Sequence, residues 1–381
     1  MSIFFKSPID IEILFDNEES RKHVDIASRS SSSSYKSMKE SLPVYEDGES
    51  LGGIVTLRVR DGKKVDHLGI KVSVIGSIDM IKSHGSGNSS SKKSTSSTSS
   101  STSNNGSSDI RKNSVDQFLC QSYDLCPAGE LQHSQSFPFL FRDLSKRYES
   151  YKGKNVDVAY FVKVTVMRKS TDISKIKKLW VYLYNSIATA PNALSTNGPQ
   201  ANFNSASADG EDGASNKNDA TPKKDGPVEA ADDNQVLPAP HSTNEPKPVK
   251  LDIGIENCLH IEFEYAKSQY SLKEVIVGRI YFLLTRLRIK HMELSLITRE
   301  SSGLQTSNVL TDSTAIRYEI MDGSPVKGET IPIRLFLSGY DLTPNVSCNY
   351  FNVKNYLSLV IIDEDGRRYF KQSEITLYRT R

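Results

Sequence analysis

The 381-residue chain is too long for one ordinary core and is read as about two domains. Its hydrophobic fraction of 37% is low for a chain that folds throughout, so part of it is expected to stay outside any core. The 48 basic and 46 acidic residues leave a net charge of +2, and no basic stripe interleaved with aromatics suggests nucleic acid.

The first residues, MSIFFKSPIDIEILFD, lack the layout of a signal peptide, because Lys6, Pro8, Asp10 and Glu12 break the apolar run. From there the chain reads as strands with a period of two. Ile9, Ile11, Ile13 and Phe15 share one face of the first. A serine tract at 28–34 reads as a loose loop. Val55, Leu57 and Val59 then alternate with Thr56, Arg58 and Arg60, and Asp61 and Gly62 make a turn into a strand near Val65. Leu68, Ile70, Val72 and Val74 repeat the pattern. The serine-rich stretch at about 83–114 has too few apolar side chains to offset the entropy of ordering its backbone. Residues 156–166 are the clearest strand, apolar at every second position.

A second low-complexity stretch, 188–248, is rich in Asn, Ala, Asp, Lys and Pro and reads as a disordered linker. Beyond it the strand code resumes, with Leu259, Ile261, Phe263 and Tyr265 alternating with His260, Glu262 and Glu264. The best apolar run, VIVGRIYFLL at 275–284, is too short to span a membrane and contains Arg279. Leu287 and Ile289 occupy odd positions but Met292, Leu294 and Leu296 even ones, which predicts a bulge near Lys290 and His291. Strands follow at 331–337 and 357–361, and Asp365 and Gly366 predict a type I′ hairpin.

Many short strands with one apolar face, and almost no helical period, imply an all-β chain of antiparallel sheets packed as sandwiches. The expected organisation is an N-terminal sandwich over 1–187, the linker at 188–248 and a C-terminal sandwich over 249–381. With no export signal, Cys120, Cys126, Cys258 and Cys348 are expected as free thiols in the cytosol. The sequons at Asn88, Asn105 and Asn345 would then go unmodified.

Signatures of catalysis are weak. Gly48-Glu49-Ser50-Leu51-Gly52 matches the nucleophile-elbow pattern, but an acidic loop precedes it and a strand follows, where the elbow needs a strand and then a helix. The spacing of Cys120, Cys126 and His133 fits no compact zinc pattern, and His260 lies on the polar side of its strand. No P-loop or G-x-G-x-x-G occurs. The chain is expected to be a non-enzyme without metal or cofactor that acts by binding other proteins.

Five blocks carry a family resemblance: YEDGESLGGIVTLRV (45–59), YESYKGKNVDVAYFVKVTVMRK (148–169), GIENCLHIEFEYAKSQYSLKEVIVGRIYFLL (254–284), YEIMDGSPVKGETIPIRLFLSGYDLTP (318–344) and DGRRYFKQSEITLYR (365–379). Together they resemble the arrestin-like subunit of the retromer complex, in the vacuolar protein sorting family, over nearly all of the patterned chain. The resemblance implies two arrestin-type β-sandwich domains joined by a central linker; the two low-complexity stretches depart from the family and look like disordered insertions in surface loops. It implies a subunit that helps retrieve transmembrane receptors from endosomes to the Golgi. A large α-solenoid subunit would dock on the loop at 318–325, with Ile320 and Met321 as its contacts. A metallophosphatase-like subunit would join through the solenoid. Sorting nexins and receptor tails would meet the chain at a strand edge near Ile253 and Phe370, by strand addition. Any membrane contact would be indirect. Read from the residues alone, Ile320 and Met321 could instead end a core strand, and Ile253 and Phe370 could be core or edge packing. The other arrestin-like class, the ubiquitin-ligase adaptors, carries Pro-Pro-x-Tyr motifs, and none occurs here.

Overall fold

The computed structural model describes residues 7–27, 39–60, 64–82, 111–185, 247–303 and 309–381. Alternation builds the first half: Ile9, Ile11, Ile13 and Phe15 all turn into one core, as their spacing predicts. The strands are β1 (Ile9–Phe15), β2 (His23–Ala27), β3 (Lys39–Glu46), β4 (Leu51–Val59) and β5 (Val65–Lys82). There follow β6 (Arg111–Leu131), β7 (Gln135–Phe141), β8 (Tyr151–Lys152), β9 (Val156–Met167) and β10 (Ile173–Tyr182). The only helical piece among the described residues is a 3-10 turn at Glu18–Ser20. A three-stranded sheet, β1-β4-β7, faces a larger one ordered β2-β3-β10-β9-β5-β6, with β8 added to β9.

The second half repeats the plan with β11 (Val249–Ile255), β12 (Leu259–Tyr265), β13 (Gln269–Ser271), β14 (Val275–Thr285) and β15 (Ile289–Ser302). Then come β16 (Val309–Asp322), β17 (Thr330–Phe336), β18 (Val346–Ser347), β19 (Phe351–Asp363) and β20 (Arg368–Tyr378). Sheet β11-β12-β14-β17 packs on sheet β13-β20-β19-β15-β16, with β18 beside β19. Two cores result, one per sandwich. At about 1.5–3 kcal/mol for each fully buried aliphatic or aromatic side chain, these cores are the main favourable term.

The cores are not independent. Leu357, Leu359 and Ile361 of β19 lie in the second core, but Phe351 and Val353 of the same strand lie in the first. Tyr151 stacks on Phe351 with ring centroids 5.7 Å apart. Beside this stack Glu300 of β15, only 3% exposed, accepts hydrogen bonds from Tyr151 Oη (2.8 Å), Asn155 N (2.8 Å) and Asn155 Nδ2 (2.9 Å). A side chain at Gly153 would collide with that carboxylate, so the tight approach requires glycine there. A second bridge pairs the buried Glu149 with Arg379 at 2.8 Å, and Arg379 stacks over Tyr182. Burial raises the pKa of Glu149, and the Arg379 hydrogen bonds and charge oppose that rise.

One sequence expectation holds in the folded chain and several change. The bulge near Lys290 is present, because Ile289 pairs with Asp363 and His291 with Ile362, leaving Lys290 as the extra residue. Leu68 is not a core residue and is 51% exposed. Gly69 has a φ of 149° and the inward face changes between Gly69 and Ile70: Val65 and His67 are buried before that step, Ile70, Val72 and Val74 after it, and the β5–β6 ladder slips one residue further on. The turn at Asp365 and Gly366 is not type I′. Only Gly366 has positive φ (80°), and its N–H bonds to Asp363 O at 3.0 Å while Asp363 N bonds to Arg367 O. These bonds describe a type I turn closed by a glycine bulge, one residue longer than a type I′ loop. The serine-rich stretch ends earlier than expected, with β6 already begun at Arg111. The tract at 28–34, the Asp61–Gly62 turn, most of 83–114 and nearly all of 188–248 lie outside the described residues.

Two stability predictions follow from these contacts. Glu300→Ala leaves the Tyr151 hydroxyl and the Asn155 backbone N–H without this acceptor at the junction and is expected to cost about 1–3 kcal/mol in denaturant unfolding; an unchanged unfolding midpoint would show that the junction does not depend on it. Arg299, through its hydrogen bonds, holds the Asp312 carboxyl below its usual range. A carboxylate with a depressed folded pKa adds stability above its unfolded value, and loses it as the pH falls through the folded one. Asp312→Asn should therefore melt lower at pH 7, with the gap closing as the pH falls below about 4.

Candidate functional site

A strand at a sheet edge offers unpaired N–H and C=O groups, so edges are where an all-β chain can take on a partner. In the second sandwich β11 ends one sheet and β16 ends the other. Strand β13 covers β20 only at Thr376, Leu377 and Tyr378, leaving the stretch 368–375 without a ladder partner on that side. Strand β11 runs alongside β20, so two open edges adjoin.

Ile253 and Phe370 lie on these adjoining strands, but they face differently. Ile253 pairs with Ile261 and points into the second core at 7% exposure. Phe370 pairs with Val360 and stands 62% exposed on the outer face. An aromatic ring left this open gains little from burial in the isolated chain. Ile253 belongs to the packing that shapes the edge, whereas Phe370 is available to a partner.

Ile320 and Met321 lie at the end of the edge strand β16. Met321 pairs with Met292 and Glu319 with Glu293, so Ile320 is the unpaired residue of a bulge. Gly323, at φ 102°, turns the chain directly after, and its N–H bonds to Lys290 O at 2.8 Å. Both apolar side chains pack partly against the second core and are partly open. Tyr318 and Val326 are exposed nearby in sequence. The turn sets an apolar corner on an edge strand, half used by the fold itself.

The residues weighed for catalysis stand apart. Ser50 Oγ accepts a 3.4 Å hydrogen bond from Asp143 N in the loop entering β4, and a strand follows it, not a helix. Among the described residues no group of three or more His, Cys, Asp or Glu is placed to hold a metal. All four cysteines are free thiols. His260 is exposed, 3.9 Å from Asp252. The Asn345 side chain is engaged in the fold: its oxygen accepts from Asn355 Nδ2 (2.7 Å) and Leu377 N (3.0 Å). Sequence reading passed over the buried Glu300 and Glu293. Their one signal is a carboxylate inside an apolar strand, and the partners of Glu300 lie 145 residues away in sequence.

Two sandwiches locked at a shared strand, with open edges on the second, define an arrestin-like all-β protein whose candidate surfaces are strand edges. The family of vacuolar protein sorting-associated protein 26 matches residues 5–366, and the chain belongs to it. It is 88% identical to carboxypeptidase Y-deficient protein 8 of Saccharomyces cerevisiae, over all of both chains. It is 37% identical to vacuolar protein sorting-associated protein 26 of Schizosaccharomyces pombe, over all of this chain and 99% of the relative. It is 35% identical to the human protein 26B, over all of this chain and 88% of the relative. Among the described residues no helix is long and apolar enough to cross a membrane.

Ser50→Ala tests the one nucleophile motif. Cells carrying only this variant should sort vacuolar proteins as well as cells with the unaltered chain. A sorting defect at unchanged melting temperature would bring Ser50 back as a functional residue.

Proposed function

We propose that the chain is a non-catalytic subunit of retromer that binds an α-solenoid subunit and helps sorting nexins hold receptor tails for endosome-to-Golgi retrieval. It would work at the cytosolic face of the endosome as a peripheral protein, with the metallophosphatase-like subunit joined through the solenoid. Membership of a vacuolar protein sorting family supports this reading. The structural observation that carries it is the bulged apolar corner of Ile320 and Met321 at the end of edge strand β16.

The bulge matters physically. It breaks the regular ladder, so the corner favours recognition through side chains over addition of a strand. Each side chain is already half-buried, so docking gains only part of the ~1.5–3 kcal/mol available from complete burial. Two such residues at the centre of an interface still suffice for a hot spot. The sorting-signal edge is the other half of the reading. An extended receptor peptide would pair with the open edge at β11 and β20, and Phe370 would receive one of its alternate side chains.

The test is a pair of variants measured against purified partners. Ile320→Asp with Met321→Asp should weaken binding to the solenoid subunit about 100-fold or more, while Phe370→Ala leaves it unchanged. Phe370→Ala should instead weaken binding of a receptor-tail peptide in the presence of a sorting nexin. Because the docking pair also touches the core, melting temperature is measured alongside. A folded double variant that still binds the solenoid sinks the docking assignment, and undiminished peptide binding by Phe370→Ala sinks the edge assignment.

A further inference from the structure

The docking corner and the open edge of β20 belong to the same six-stranded sheet, on opposite sides of it. One cross-strand row joins them: Phe370 pairs with Val360, Val360 with Glu293, and Glu293 with Glu319, the neighbour of Ile320. At about 4.8 Å per strand, Glu293 stands one strand from the docking side and two from Phe370. Glu293 is buried, only 6% exposed.

The two oxygens of that carboxylate face different strands. Oε2 lies 3.5 Å from Arg317 Nε of β16 and 3.7 Å from His291 Nε2. Oε1 lies 3.9 Å from Arg368 Nη2 of β20. His291 Nδ1 is in turn 3.5 Å from Glu319. The arginine of the docking strand and the arginine two residues before Phe370 therefore share one buried negative charge. A buried carboxylate is costly unless its charge is compensated. If a partner at β16 draws Arg317 away, the charge of Glu293 is left to Arg368 and His291, and the reverse holds from the other side. Because the carboxylate is rigid and planar, tightening at one oxygen is felt at the other.

We infer that Glu293 is a positioning residue that couples the two edges, so that docking at Ile320 and Met321 orders the β20 edge around Arg368 and Phe370. Thermodynamic linkage makes the coupling reciprocal. The inference rests on the solenoid-docking reading given above.

Hydrogen exchange on the full chain, with and without the purified solenoid subunit, tests it. In the unaltered protein, docking should slow exchange of the backbone amides at 368–374 by about five-fold or more, the lower end of ordinary coupling factors. Glu293→Gln keeps the shape of the side chain and removes its charge. That variant should still bind the solenoid within a few-fold of the unaltered chain, yet show no added protection at 368–374. A purely structural role would lower protection in the free protein and leave the response to docking in place. Solenoid binding with no response at β20 in the unaltered chain overturns the coupling alone, as does an undiminished response in the variant. Failure of the unaltered chain to bind the solenoid at all overturns the docking reading and the coupling with it.

Discussion

The structure depends on one constraint: strand β19 serves two cores, and the charge beside its start is sealed by the other sandwich. Phe351 and Val353 pack with the first sandwich, and the rest of the strand packs with the second. Glu300, paired through β15 to that same region, takes its hydrogen bonds from Tyr151 and Asn155 of the first sandwich. Separating the sandwiches would strip the Glu300 carboxylate of these donors and expose Phe351. The Glu149–Arg379 pair adds a second bridge with the same property. Buried ion pairs of this kind are poor sources of net stability, but removing one partner is costly because it leaves the other charge uncompensated.

Holding the junction in this way leaves the far parts of the second sandwich free for other work. Sheet edges are normally liabilities, blunted by bulges, proline or charge. Here β17 carries Pro332 and β16 carries two register slips, while β20 is left open along 368–375. The different treatments suit different modes of binding. A bulged corner presents side chains, and an open ladder presents backbone. The buried Glu293 lies between them, where local charge balance would be sensitive to either.

Much of the fold was legible in the residues. Alternation at 9–15, 156–166 and 259–265 identified strands and their inward faces, because a half-buried strand leaves a period of two wherever one side meets a core. The parity change around Lys290 revealed a bulge for the same reason. Leu68 misled because Gly69 reverses the phase of its strand, and a single glycine in an apolar pattern does not announce that. The hairpin at Gly366 misled because two turn types share the Asp-Gly signature and differ in how many residues adopt positive φ. Ile320, Met321, Ile253 and Phe370 were reached through family resemblance, since apolar residues on strands look alike whether they face a core or a partner.

By itself the sequence determined the all-β class, the two groups of strands, the inward face of most of them and the family. Those features are local, or are carried by long contiguous blocks. Only the tertiary structure decided that Phe370 stands open while Ile253 is buried, that Ile320 is the extra residue of an edge bulge, and that Glu300 and Glu293 are enclosed charges with assigned partners. Exposure, register and charge compensation depend on separate strands coming together, in the case of Glu300 across 145 positions, and no spacing along one chain records which of them will meet.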